Sequence, residues 1–376
     1  MKAIIHFIKK EFLQFRRDPK MFGIILIAPV LQLIFLGYAA NLDIDKIKLL
    51  VFDNDKTSTS RLLINSITSS GYFVMVKYVN DYDELTKNLD YGKAVVALVI
   101  PYNFEKNIYR QETSELQAIF DASDGNTASI AAGYLQQIIL QFSQNISVEF
   151  FQRSGMKFLP IGNISAEVRV WYNPTLKTRN YMVPGIVGLL LSIITLLLTS
   201  LAIVKEKEVG TMEQLIVTPL KSYQIIIGKL VPFIILGFIA VVIVLTAMRL
   251  VFDIPVKGSL AFLFISAFFY ILSTLGLGLF VSTISKTQQQ AMMIAVFLVM
   301  MPMVFLSGFA FPVENMPKII QYISYIIPLK YFINIIRGVI SKGLGFNELW
   351  LNSLVLLIMG LFILTLSAIR FRKRLE

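Results

Sequence analysis

Six stretches of this chain are apolar for about twenty residues at a time, and that length constrains the fold more than any motif does. A helix rises about 1.5 Å per residue, so such a run crosses the hydrocarbon core of a bilayer. The runs cover residues 21–40, 181–204, 226–248, 259–284, 290–311 and 350–369. The 376 residues are 56% hydrophobic, more than a soluble domain carries. The expectation is an α-helical polytopic membrane protein with six transmembrane helices. An α/β extracytoplasmic domain is inserted between helices 1 and 2.

Flanking charge sets the orientation. Lys2, Lys9, Lys10, Arg16, Arg17 and Lys20 precede the first run, and Arg370, Arg372, Lys373 and Arg374 follow the last. Basic flanks stay in the cytoplasm. Both termini therefore read as cytoplasmic, which requires an even number of spans and puts 41–180 outside. The net charge of +11 is concentrated in these flanks, with no basic face interleaved with aromatics, so nucleic acid is not an expected partner. The first run exceeds the apolar core of a secretion signal and follows about twenty basic and amphipathic residues, so it reads as an uncleaved anchor.

The expected organisation is therefore as follows. Residues 1–20 form an amphipathic helix on the inner surface, with Ile4, Ile5, Ile8, Phe12 and Phe15 on its apolar face. Residues 21–40 form the first span and 41–180 the outer domain. Residues 181–369 supply five more spans, a polar loop at 205–222 and an outer hairpin at 311–342. Residues 370–376 are a basic cytoplasmic tail. The hairpin tempts a seventh span, but Lys330 and Arg337 would lie inside it and Pro328 would interrupt it. Each charge near a helix centre costs about 2.5–3.5 kcal/mol. Two short helices that enter the outer leaflet and return fit better.

The outer domain reads as alternating strands and helices. Strand patterns fall at 47–53, 72–79, 93–101, 115–123 and 166–174. Helical patterns follow in "STSRLLINSIT", "DYDELTKNLDYG" and the long stretch that starts at "NTASIAAGYL". The acidic pairs Asp53/Asp55 and Asp81/Asp83 flank strand ends and turns, where aspartate is an ordinary turn residue.

Several chemistries are absent. The chain has no cysteine and one histidine, His6, so no thiolate metal site and none of the usual nucleophile–base triads can be assembled. It has no phosphate-cradling G-x-x-x-x-G-K-[ST] loop. At depth the spans are expected to hold no Asp, Glu, Lys, Arg or His, which argues against an ion-coupled carrier. Ser192, Thr195, Thr199, Ser273 and Thr274 read as helix–helix hydrogen-bonding residues. No catalytic residue, metal ligand or cofactor is expected on this chain. If it moves a solute uphill, the energy comes from elsewhere.

Six stretches, "VVALVIPYNF" of the outer domain among them, then carry a family resemblance. "IVKEKEVGTMEQLIVTPLKSYQIIIGKLVPF" resembles the cytoplasmic loop of ABC-2 type transporter permeases, the membrane subunits of ATP-binding cassette exporters. "VFDNDKTSTSRLL", "FDASDGNTASIAAGYLQ", "VWYNPTLKTRNYMVPGIVGLLL" and "LSGFAFPVENMPKIIQYISYIIPLKYFINIIRGVISKG" look like the branch of that family with a long ectodomain.

The resemblance implies two permeases, identical or sister chains, above two ATPase subunits that bind ATP and Mg. It implies export of an amphipathic, drug-like or lipid-like substrate through a bacterial cytoplasmic membrane, and it allows a periplasmic adaptor protein. It maps the ATPase-coupling motif onto Glu206, Glu208, Gly210, Thr211, Glu213, Gln214 and Pro219. It maps the re-entrant hairpin onto the stretch that contains Pro312, Glu314, Asn315, Pro317, Pro328 and Arg337. In the coupling loop, Val209, Met212, Leu215 and Ile216 would share a helical face and leave Lys205, Glu206 and Glu213 for a partner. The competing reading from the residues alone is a non-transporting receptor or anchor whose outer domain binds a ligand.

Overall fold

A computed structural model of the chain describes residues 2–17, 23, 27–40, 46–110, 112–153, 171–173, 177–212 and 222–372. The chain divides into two compact units. One comprises Met1–Leu42 with Arg169–Glu376, and the other Asp43–Val168.

The second unit is a four-stranded sheet with helices on both faces. Its strands are β1 (Ile47–Asp53), β2 (Phe73–Tyr78), β3 (Val96–Ile100) and β4 (Gln117–Phe120), in the order β2-β1-β3-β4. β1 runs parallel to both β2 and β3, while β4 is antiparallel to β3. Side chains alternate along a strand, so β1 and β3 feed two separate cores. Ile47, Leu49, Val51, Val96, Leu98 and Ile100 pack under the helices at Ser58–Ser69 and Gly125–Arg153. Leu50, Phe52, Ala97 and Val99 meet Leu85 and Leu89 of the helix Tyr82–Asp90. Of the strand expected at 166–174, residues 171–173 are described and are not a strand, and the rest lie outside the described residues.

The two acidic pairs are structural. Asp53 accepts from the Asp55 and Lys56 amides and from Ser60 Oγ, closing the turn after β1. Asp81 caps the helix Tyr82–Asp90 through the Glu84 amide at 2.6 Å. Glu105 supplies the carboxylate at the N-terminus of Ser58–Ser69, where unpaired amides favour an anion. Its Oε1 accepts from Ser58 Oγ at 2.6 Å, Thr59 Oγ1 at 2.7 Å and the Thr59 amide at 3.1 Å. The Ser58 hydroxyl, with Thr59, holds the Glu105 carboxyl below the usual glutamate range.

A depressed folded pKa gives stability that is complete above the unfolded value, about 4.3, and is lost as pH falls through the folded one. Acid unfolding of residues 43–168, followed by circular dichroism, should therefore begin at higher pH in Glu105→Gln, which lacks this carboxylate's stabilisation, with the two proteins converging at low pH. An unchanged midpoint would reject this role for Glu105.

The first unit is a helical bundle. Its helices are α1 (Lys2–Arg17), α2 (Ala28–Ala39), α7 (Thr178–Glu208), α8 (Ser222–Phe252), α9 (Leu260–Ile284), α10 (Gln288–Leu306), α11 (Lys318–Ser324), α12 (Pro328–Arg337) and α13 (Phe346–Arg372). The labels α3 to α6 belong to the sheet unit: Ser58–Ser69, Tyr82–Asp90, Phe104–Tyr109 and Gly125–Arg153.

Among the described residues, five helices are long and apolar enough to cross a membrane: α7, α8, α9, α10 and α13. α2 has twelve described residues, fewer than a crossing needs, and most of 18–26 lies outside the described residues. α11 and α12, the latter continued by a π-turn to Lys342, are bent by 84° across a short break.

Burial ranks the long helices. The apolar window of α7 is 78% buried, against 17% in α10 and 22% in α13, so α7 is the axis of the unit. α9 packs along both α7 and α13. Small and hydroxylated residues make this close approach possible, as they do between helices in lipid. Thr195 Oγ1 and Thr274 Oγ1 are 2.7 Å apart, Ser266 Oγ and Ser353 Oγ 3.1 Å, and Ser367 Oγ donates to the Gly276 carbonyl at 2.9 Å. In α10 a π-helical stretch, Ile294–Met300, ends just before Pro302. Proline has no amide hydrogen, so the preceding carbonyls lose their usual donor. The Met301 amide instead reaches back to the Val296 carbonyl.

Candidate coupling end of the helical bundle

The charged run "KEKE" closes α7. Gly210 follows it with φ +78°, the left-handed conformation that ends a helix and that glycine adopts without a Cβ clash. Its amide and that of Val209 return to the carbonyls of Lys207 and Lys205. Thr211 Oγ1 donates to the Glu206 carbonyl at 3.3 Å. The Gly-Thr pair of the motif thus builds a helix stop. Glu213, Gln214 and Pro219 lie outside the described residues.

The charges do not share one solvated face. Glu206 is 7% exposed and buried between helices. Lys207 Nζ donates to the Ser282 carbonyl at the end of α9. Glu208 accepts from Gln288 at the start of α10, from Nε2 at 2.8 Å and the amide at 3.3 Å. Three successive side chains therefore tie the end of α7 to four neighbouring helices. This corrects two expectations. Glu206 is not available to a partner, because it is paired inside the unit. Val209 is not on a buried apolar face, because it is 67% exposed while Met212 is buried.

The partner of Glu206 overturns a third expectation. Lys229 lies within α8, inside the apolar run, and is 2% exposed. The spans are therefore not free of ionisable groups. Lys229 Nζ lies 2.7 Å from Glu206 Oε2 and 3.5 Å from Glu11 Oε1 of α1. The 2.7 Å contact is a close ion pair outside hydrogen-bonding alignment, which is why both atoms lack a hydrogen-bond partner despite their proximity. Lys10 lies 3.2 Å from Glu11 Oε1 and 3.5 Å from Glu206 Oε1. Burial works against the charge on Lys10, but Glu11 and Glu206 outweigh it and raise its pKa.

α1 reaches this cluster through Phe7, which is 7% exposed, whereas Ile5 is 63% exposed. The apolar face expected from Ile4, Ile5 and Ile8 omitted the residue that anchors the helix. Gly228 leaves the gap: a Cβ there would stand 2.3 Å from Phe7 Cδ1. Phe7, Lys10 and Glu11 are three and four residues apart, so they share the face turned to α8. Beside them is a cavity of about 150 Å³, lined by Glu11, Phe15, Glu206, Thr211, Phe233 and Leu236 among others. The sequence does hold a signal for these residues: Glu11 is the one acid of α1, and Lys229 the one charge inside an apolar run.

The other expected site, the hairpin, is built around its charges. Pro312 and Asn315 form a tight turn, with the Asn315 amide on the Pro312 carbonyl at 3.2 Å. The Glu314 carbonyl accepts from Gln321 Nε2. Pro317 precedes α11 and Pro328 opens α12, a position where a missing amide hydrogen costs nothing. Lys330 Nζ donates to Ser324 Oγ at 2.8 Å across the elbow and sits 3.5 Å from the centre of the Tyr325 ring.

Arg337 Nη1 donates to Tyr181 Oη at 2.8 Å and the Gly308 carbonyl at 2.9 Å. Its Nε reaches the Tyr181 carbonyl and its Nη2 the Phe309 carbonyl, with the guanidinium 3.6 Å over the Tyr181 ring. It pins α12 to the start of α7 and the end of α10. α12 is deeply buried, with Leu329, Phe332, Ile333, Ile335 and Ile336 at 1% or less, while Ile319 and Tyr322 of α11 are exposed.

Residues 19–369 match the profile of a family described as "ABC-2 family transporter protein". The chain is 34% identical to the probable multidrug ABC transporter permease YbhR of Escherichia coli (strain K12) over 348 residues, 92% of each chain. It is 30% identical to the probable multidrug ABC transporter permease YbhS of the same organism, over 98% of this chain and 96% of that one. ABC transporter G family member 20 of Dictyostelium discoideum is 22% identical over 99% of this chain but 51% of its own length.

Proposed function

The chain belongs to the ABC-2 family of transporter proteins, and from that membership we propose that it is the permease subunit of an ATP-driven exporter of amphipathic molecules. The observation that carries this reading is the similarity to the probable multidrug ABC transporter permeases YbhR and YbhS along more than nine-tenths of the chain. In this reading α2 completes the first of six spans, both termini are cytoplasmic, and residues 43–168 form an α/β domain on the outer side. ATP and Mg bind on a separate ATPase subunit, and a second permease, identical or a sister chain, completes the pathway. The segment 205–222 meets the ATPase, and the hairpin 311–342 re-enters the membrane at the outer surface. The outer domain also offers a place for an adaptor protein.

The geometry supports a mechanical role for the end of α7. α7 is the most buried of the long helices, and its last turn is tied at once to α1, α8, α9 and α10. A displacement applied at Gly210–Thr211 enters the axis of the bundle and is shared by four neighbours. ATPase closure would in this way tilt α7 and α10 around the pathway. Lys229 does not turn the protein into an ion-driven carrier, because two carboxylates already neutralise it together with Lys10.

Affinity purification from native membranes in mild detergent should recover an ATP-binding cassette protein with this chain. Disrupting Glu206, Gly210 and Glu213 together should leave export at less than about a tenth of wild type. Recovery of the chain without any ATP-binding protein would favour the receptor reading instead.

A further inference from the structure

The family assignment gives no task to Lys229, and the sequence pattern argued against a lysine at that depth. A lysine removed from water is costly, and attraction to a carboxylate offsets the cost only where the contacts are short and well aligned. Here they are not. For Lys229, one contact, at 2.7 Å, is out of hydrogen-bonding alignment and the other is 3.5 Å long, while the two aligned contacts, at 3.2 and 3.5 Å, belong to the half-exposed Lys10. A methionine would fill the same space without the desolvation cost. Static stability therefore does not account for the cluster.

Its layout suggests movement. Two lysines and two carboxylates form a square with no net charge. Glu206 stands nearer Lys229 and farther from Lys10, and Glu11 nearer Lys10 and farther from Lys229. The four side chains come from three elements: Lys10 and Glu11 from α1, Glu206 from α7 and Lys229 from α8. Exchanging the pairs would conserve charge, so the two arrangements differ little in electrostatic energy. Both carboxylates border the 150 Å³ cavity, which gives them room to swing, and Lys10 is about half exposed, so its ammonium can pass through water. Glu206 is also in the last turn of α7, where its carbonyl holds Thr211.

We propose that Lys229 is the positioning residue of a four-charge joint in which Glu206 and Glu11 trade lysine partners when the end of α7 moves, so that ATPase-driven displacement of α7 is passed to α1 and α8. This inference rests on the permease reading above. Two discrete pairings of one interface are the kind of bistable element that turns a small shift into a defined change of state.

The test uses the full chain in complex with its co-purified ATPase. The chain has no cysteine, so within it spin labels attach only where a cysteine is introduced, and it is labelled before the ATPase is added back. Labels at Ile5 on α1 and Ile235 on α8, both exposed, report the distance between the two helices. Adding ATP with vanadate should shift that distance distribution in the otherwise wild-type complex.

The triple variant Glu11→Gln, Glu206→Gln, Lys229→Met removes the three buried charges together and leaves only the half-exposed Lys10, which water can solvate. It should melt at or above the wild-type temperature, yet the ATP-driven shift should fall at least threefold. Lys10→Gln, a change at a half-exposed position, should reduce the shift as well, because exchange needs two lysines. A full shift in either variant, or none in the unmodified joint, overturns the proposal. Recovery of the chain with no ATP-binding protein would instead overturn the permease reading itself.

Discussion

Arg337→Met is expected to lower the stability of the helical unit by about 3 kcal/mol. Hydrogen bonds to a charged donor contribute about 1.5–3 kcal/mol each when buried, and much less where water competes. Of the four donor contacts, those to the Gly308 and Phe309 carbonyls are partly buried and those to Tyr181 are exposed. Counting the first pair in part and discounting the second gives the figure stated. Methionine keeps most of the volume, so the loss reports the polar contacts rather than a cavity.

The melting temperature of the purified protein in detergent should fall by about 6–12 °C, since about 1 kcal/mol corresponds to 2–4 °C for a unit of this size. Arg337→Lys should recover less than half of the loss, because a lysine cannot span three carbonyls and stack on Tyr181 at once. A methionine variant that melts within about 1 °C of wild type would mean that the clamp is incidental.

The same residue shows how far the sequence could be read. Arg337 and Lys330 argued against a seventh span at 319–340, since a charge at depth is costly whatever its context, and the segment is bent by 84° at its middle. The burial of α12 was not legible. It follows from the guanidinium satisfying carbonyls near Tyr181 and Gly308, which are distant in sequence. The sheet unit was more transparent, because the short apolar runs of β1 and β3, bounded by turn residues, are a local property. Its short helix Phe104–Tyr109 escaped notice, since six residues are too few for a helical period to show. In the coupling end, Gly210 was not legible as a helix stop, because the spacing of Val209, Met212, Leu215 and Ile216 suggested one helical face running past it. Nor was the destination of Glu206 legible, for Lys10 is 196 residues away in the chain. The flank charges that fix topology look the same in sequence as those that are buried in pairs.

Gly278→Val is expected to cost at least about 3 kcal/mol and to lose the α7–α9 contact. Overpacking of a well-packed core costs about 1–3 kcal/mol, and more where backbone blocks relaxation. Here it does: a Cβ at 278 would lie 2.7 Å from the Leu196 carbonyl oxygen and 2.8 Å from Thr199 Cβ. Neither atom can rotate away, so the helices must separate. Separation also opens the Thr195–Thr274 hydrogen bond one turn away. Because α7 is the axis of the unit, the variant should show an early melt and rapid cleavage by a soluble protease in detergent. Gly133 is the internal contrast. It too lies within a helix, but a Cβ there would meet nothing within 4 Å. Gly133→Ala should therefore stabilise residues 43–168 by about 0.5–1 kcal/mol, through reduced backbone entropy alone. Opposite signs for the two substitutions would show that Gly278 is required by the helix crossing. A valine variant that melts with wild type would show that α7 and α9 do not approach this closely.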